Sequence, residues 1–528
     1  LVSAGTAGAQ TGDKSVSLKE ITDGMFRQKT SVGEMRSLPD GEHYTAMNAE
    51  RNMIVKYSYR TGKAVDTLFN ATTARECEFT KFDGYTISST GHHILVWRET
   101  EPIYRRSYKA AVYDYDVRRN YIKPITDSKE KVMIPTFSPD GRMCAFVKDN
   151  NIWIRKFDFD TEVQVTKDGA LNKILNGTTD WVYEEEFAVT NLMAWSPDSE
   201  YLAYVRTDET EVPEYSMQVY GDGLYPSYYN FKYPKAGQKN STVSVKAYSV
   251  QTRDTKHLDV PMDGDGYIPR ITFTRNASQL AVMTLNRHQN IFNMYYVNPK
   301  SGVSRLILRE ENECYVDSEW LSSIHFLSNG FTYVSEQDGY AHIYLYSPTG
   351  VLQKQITQGN WDVTRLIGYD ETTKNTYYES AEESPLRRAV YKIDAKGVKT
   401  RLTPEEGTNS AAFSANYAYF VNRYSNANTP MKITVNETKS RKVLRTLQDN
   451  AELRERLAQY RFGKKEFFTL TTKSGFELNA WMVKPANFDE SKKYPVMMTQ
   501  YSGPNSQQVL DSYSFDWEQY LAANGIIV

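Results

Sequence analysis

Cysteine is scarce. Cys77, Cys144 and Cys314 are the only three in 528 residues. They are far apart, odd in number and lack the spacing of metal ligands. A dense disulfide framework is excluded, so the fold must stand on its core, with at most one disulfide in an oxidising compartment. Neither sign of charge is in excess: 63 basic residues face 65 acidic ones, for a net charge of −2. With no long basic run, nucleic acid and anionic membranes are poor candidate partners. No run of roughly 18 apolar residues exists, so no transmembrane segment is expected. The seven histidines (His43, His92, His93, His257, His288, His325 and His342) have no matching nucleophile motif and read as surface or packing residues. There is no phosphate-binding loop and no His-Glu-x-x-His zinc helix, so neither a metal nor a cofactor is indicated. The Gly-x-Ser-x-Gly elbow that a serine hydrolase needs is missing too.

What is present is length, aromatic residues and a repeat. The chain is too long for one ordinary domain. Aromatics make up 13% with 39 Tyr, which suits half-buried pleated surfaces. Between residues 40 and 440 a polar turn is repeatedly followed by two strands of alternating aromatic and aliphatic residues. Ser138-Pro139-Asp140-Gly141 precedes Met143 to Val147, and Ser196-Pro197-Asp198 precedes Tyr201 to Val205. Arg275-Asn276-Ala277 and Leu327-Ser328-Asn329-Gly330 do the same, and weaker copies start near Asp40, Ser88, Gly368 and Ser414. Eight such units predict an eight-bladed β-propeller. The widest interval holds an insertion near 207–245, and long insertions in propellers usually serve a function or an interface.

After about residue 440 the texture changes. Asn450 reads as the cap of a short helix, Glu466 to Thr472 and Leu478 to Lys484 as strands, and Tyr494 to Tyr501 as an apolar strand. A helix near Phe515 to Asn524 is closed by Gly525. This strand-helix-strand texture suits the opening of an α/β sheet over 441–528. About 80 residues are too few to cover both faces of a parallel sheet, so the sequence reads as part of a longer polypeptide. At the other end, Ala7-Gly8-Ala9 fits a signal-peptidase site, and residues 1–12 read as a leader or signal remnant. Residues 13–39 are expected to form an N-terminal segment that packs on the C-terminal domain. Sequons stand at Asn70, Asn176, Asn240, Asn276 and Asn436.

The most informative stretch is Asp180-Trp181-Val182-Tyr183-Glu184-Glu185-Glu186-Phe187. Adjacent like charges repel, and charges beside apolar bulk lose hydration, so the arrangement is costly unless a cation binds there. A substrate ammonium group is such a cation. Two more segments carry chemistry. Gln500-Tyr501-Ser502-Gly503-Pro504 puts a phenol at the end of an apolar run, where open α/β sheets build their sites and where it could donate to an oxyanion. Tyr104-Arg105-Arg106-Ser107-Tyr108 offers a guanidinium suited to a carbonyl or carboxylate fork.

Asp-Trp-Val-Tyr-Glu-Glu-Glu, Tyr233-Pro234-Lys235-Ala236-Gly237 and Tyr501-Ser502-Gly503-Pro504, in that order, resemble the dipeptidyl peptidase IV family of serine exopeptidases. The resemblance implies an eight-bladed propeller followed by the beginning of an α/β-hydrolase domain. It implies release of N-terminal X-Pro or X-Ala dipeptides from peptides with a free N-terminus. Glu185 and Glu186 would anchor the amine, Arg105 would orient the peptide carbonyl, and Tyr501 would complete the oxyanion hole. The Ser/Asp/His triad would lie beyond Val528. The insertion would serve a homodimer, and the location would be secreted or periplasmic. Alternatives are a prolyl tripeptidyl peptidase, a catalytically inactive relative that only binds, and a pure propeller scaffold.

Overall fold

The computed structural model describes residues 12–262, 264–501, 503 and 505–528. Apart from Gly12, the leader lies outside them. Strands hold 44% of the chain and helices 6%, so the protein is mainly β. Eight antiparallel sheets follow one another, over residues 36–70, 84–124, 133–164, 174–258, 267–311, 325–355, 363–401 and 408–448. Seven have four strands paired in chain order. The fourth has five, because Ile174–Asn176 and Met193–Trp195 both pair with Tyr201–Asp208. These are the blades of an eight-bladed β-propeller.

The recurrent Ser-Pro-Asp-Gly signal is the joint between two consecutive antiparallel strands of a blade. In the third blade Ser138 N–H donates to the Met143 carbonyl at 2.9 Å. Met143 N–H returns a bond to Ser138 Oγ at 3.0 Å. Gly141, at φ 70°, closes the turn on the Ser138 carbonyl. The same closure recurs at Ser88–Gly91, Ser196–Ser199 and Ser414–Tyr417, whose last residues sit at φ 71°, 63° and 57°. The serine therefore acts as a local splint, and the fourth position needs a left-handed residue.

The chain forms two compact units. One takes residues 47–55 and 66–357. Its largest core joins the fourth, fifth and sixth blades around Leu280, Val282, Phe292, Met294 and Phe331, and includes Tyr183 and Phe187 of the acidic stretch. The other takes residues 1–46, 56–65 and 358–528. Within it Tyr44, Tyr59, Tyr419, Val421, Ile433 and Val435 form one core. A second core joins Val16, Ile21 and Phe26 to Leu453, Tyr460 and Tyr513. Helix Leu18–Thr22 has a reciprocal capping box between Ser17 and Glu20. The Tyr460 hydroxyl donates to Glu20 Oε1 at 2.7 Å.

Of the elements expected after residue 440, the two strands and the last helix form, and two points differ. Lys465–Thr471 and Glu477–Val483 pair antiparallel, and helix Trp517–Ala523 ends at Gly525, φ 81°. Asn450, however, does not cap helix Ala451–Leu457 with its side chain. It sits at φ 52°, and its amide bridges Lys29 and Met431, while Asp449 Oδ1 accepts from Ala451 N–H. The strand expected over 494–501 is reduced to a single parallel bridge between Val496 and Ile527. Only one ladder step is made there, and Val496 and Met498 remain exposed, so an apolar run alone does not hold a strand without neighbours on both sides.

All three cysteines are free. Of the sequon asparagines, Asn176, Asn240 and Asn436 are buried. No helix among the described residues is long and apolar enough to cross a membrane.

Phe26 is 2% exposed and meets Tyr460, Phe462 and Phe515 with ring centroids 4.9–5.4 Å apart. Phe26→Ala should cost about 3–5 kcal/mol by leaving a cavity. It should lower the denaturation midpoint and make the segment after residue 450 cleavable by protease. An unchanged midpoint would show that the N-terminal segment is not part of this core.

Candidate functional site

The acidic stretch forms the short helix Trp181–Glu186. Asp180 caps it, accepting from Tyr183 N–H at 3.0 Å and from the Ser241 hydroxyl at 2.6 Å. On the inner side the Tyr183 hydroxyl accepts from Ile268 N–H at 3.0 Å, and the Arg270 guanidinium donates to the Phe187 carbonyl at 2.6 Å. Tyr183 and Phe187 are each 3% exposed. A helix bolted to a blade core on this side has one orientation for its three glutamates, which fan out at about 100° per residue.

Each glutamate meets a different environment. Glu184 turns inward and is 1% exposed. Its Oε1 accepts the backbone N–H groups of Arg106 and of Ser107, the latter at 2.8 Å. Glu185 is forked by Arg105, with Nε to Oε2 at 2.9 Å and Nη2 to Oε1 at 2.7 Å. Glu186 is exposed and has no hydrogen-bond or ion-pair partner among the described residues. Arg106 completes the junction by donating from Nη1 to the Glu184 carbonyl at 2.8 Å.

Arg105 and Glu185 are thus brought together, and Glu186 follows on the same helix. Tyr501 belongs to the other compact unit; it is 64% exposed, and its hydroxyl makes no hydrogen bond among the described residues. Ser502 and Pro504 of its motif lie outside the described residues. The inward turn of Glu184 and the backbone role of Arg106 were not anticipated. The signal was available: three consecutive helical residues cannot all face solvent when Tyr183 and Phe187 face the core.

The insertion is a two-stranded hairpin, Glu214–Val219 with Ser227–Lys232. Phe231 anchors it among Trp181, Tyr104, Tyr215 and Tyr233. Trp181 also meets Tyr233 edge-on at 4.6 Å. Beyond this anchor Tyr220, Leu224, Tyr225 and Tyr228 are exposed.

Near Asp180 lies another buried acid, Glu209, 4% exposed. Burial first, then the nearby Asp180 charge, push its carboxyl up to about 7, against a smaller opposing pull from Lys232. Burial likewise raises Asp180 from its ordinary value, opposed by the hydrogen bonds it accepts from Ser241 and Tyr183. The Lys232 ammonium is already given to the carbonyls of Thr210 and Val212. Among the described residues no group of His, Cys, Asp or Glu has metal-holding geometry.

An acidic helix, braced by an arginine turn and an aromatic hairpin, marks the fourth blade of this eight-bladed propeller. Residues 88–431 match the model described as the dipeptidyl peptidase IV (DPP IV) N-terminal region, and the chain belongs to that family. Its structure is similar to dipeptidyl peptidase 4 of Porphyromonas gingivalis, with 62% identity, TM-score 0.95, and 98% of this chain and 74% of that one covered. Among curated relatives it is 28% identical to dipeptidyl-aminopeptidase B of Aspergillus niger over 99% of this chain and 63% of that protein. It is 30% identical to dipeptidyl peptidase 4 of Trichophyton rubrum over 80% of this chain and 56% of that protein. The chain therefore spans less than two thirds of the length of these curated relatives.

Folding disfavours the ionised form of Glu209. The penalty is absent below the ordinary value of 4.5, grows as pH rises, and is complete above about 7. It amounts to at most about 3 kcal/mol. Glu209→Gln should raise the thermal midpoint at about pH 8 and leave it unchanged near pH 4. An equal gain at both pH values would refute a titrating Glu209.

Proposed function

We propose that this chain is the substrate-anchoring part of a serine exopeptidase that releases N-terminal X-Pro or X-Ala dipeptides. The observation that carries the reading is the pair Glu185 and Glu186 on one fixed helix. One carboxylate is already forked by Arg105, and the other is exposed and has no partner among the described residues. An ammonium group brings three donors and one positive charge. It finds two acceptors there, with Arg105 alongside to take the neighbouring carbonyl. An acylated N-terminus would bring no charge and only one donor.

In this reading Tyr501 donates to the oxyanion of the tetrahedral intermediate. Nucleophile, base and orienting aspartate lie outside this sequence, and 441–528 opens an α/β-hydrolase domain on which 13–39 packs. A fixed distance from the amine anchor to the nucleophile sets the two-residue cut. The exposed apolar tip of the hairpin supports a homodimer, because patches of that kind mark interaction sites. A secreted or periplasmic location fits the small-residue leader.

The test uses the full-length protein and peptides with Pro or Ala in second position. Glu185→Gln and Glu186→Gln should each lower kcat/KM by roughly 100-fold, since a charge-assisted bond of about 3 kcal/mol is lost. An acetylated N-terminus should have the same effect on the unmodified enzyme. Cleavage of acetylated peptides at the same rate would sink the amine anchor, and tripeptide products would move the assignment to a tripeptidyl peptidase.

A further inference from the structure

The turn that delivers Arg105 is short and closed on itself. Ile103 N–H donates to the Ser107 carbonyl at 2.8 Å, and Tyr104 N–H to Ser107 Oγ at 3.3 Å. This leaves the N–H groups of Arg106 and Ser107 pointing away from the turn, and both go to one atom, Glu184 Oε1. Ser107 is itself 7% exposed and Glu184 1%, so neither has water to fall back on. Arg106 answers in the reverse direction, from its guanidinium to the Glu184 carbonyl. The next residue of each segment supplies the functional pair, Arg105 on one side and Glu185 on the other.

We propose that Glu184 is a positioning residue for the amine anchor. It fixes the backbone of the 103–107 turn to the acidic helix, and through that backbone holds Arg105 in register with Glu185. This inference rests on the peptidase reading above for its effect on substrate, but not for its geometry. Glu184 is not itself a third amine anchor, because it is enclosed and its Oε1 is occupied twice. The second oxygen, Oε2, is buried without a partner among the described residues. The two bonds to the turn therefore depend on Oε1 alone. A glutamine keeps that acceptor and removes the charge, whereas an alanine removes both.

Two measurements decide it. In the full-length protein, Glu184→Ala should raise KM for free-amine peptides about tenfold or more with kcat within about threefold, and adding Arg105→Ala should cost nothing beyond Arg105→Ala alone. Glu184→Gln should stay within about threefold of the parent enzyme. Additive losses in the double variant, or a glutamine variant as poor as alanine, would overturn the proposal. Hydrogen exchange of the peptide spanning 103–107, read by mass spectrometry on the chain itself, needs no activity. Protection should be lost in Glu184→Ala and kept in Glu184→Gln, and unchanged protection in the alanine variant would overturn it. If the protein cleaves no dipeptides, the peptidase reading fails while exchange still decides whether Glu184 holds the turn. Should the alanine variant not fold, Glu184→Asp replaces it: one methylene shorter, it should lose protection and raise KM, and normal behaviour would count against the proposal.

Discussion

A carboxylate withdrawn from water must be answered by donors, and at the acidic helix that constraint orders everything else. Glu184 is enclosed, so two backbone N–H groups of another strand connection must come to it. Once they do, Arg105 faces Glu185 and Glu186 is left looking outward. A run of three acids that looks repetitive in sequence becomes three different groups: an internal brace, a paired carboxylate and an exposed one.

The helix would not hold that fan without a rigid floor. Tyr183 and Phe187 supply it by packing into the core shared by three blades. Trp181 supplies a second wall by meeting the hairpin aromatics. The hairpin gains as much as it gives, since an isolated two-stranded ribbon is only marginally stable in water. The site is thus a knot of local elements from the second, fourth and fifth blades, all within one compact unit.

The blade pattern was legible because it rests on local chemistry. Ser138 and Ser196 splint their own turns, so the serine, the polar turn and the following alternation travel together in the sequence. The acidic motif was legible as unusual for a similar reason, the clash of adjacent charges with apolar neighbours. What escaped depends on partners distant in the chain. The direction of Glu184 is set by a turn 77 residues away. The side chain of Asn450 was diverted from its helix by Lys29 and Met431. The run 494–501 is apolar enough for a strand but finds one bridge instead of a ladder. Periodicity reports what a segment is able to do, and only the neighbours decide whether it does so.

The buried sequons bear on how this polypeptide can be made. Asn176 lies in a strand with its amide donating to Asn150 and Asp168, and Asn436 donates to Thr434 inside the eighth blade. Glycosylation machinery reads Asn-x-Ser/Thr on a nascent chain, before any blade has closed. A sugar added then at Asn176 or Asn436 has no exit from the finished sheet. A host that installs N-glycans during translocation would be choosing between folding and modification at those sites, whereas a host without that machinery never meets the conflict.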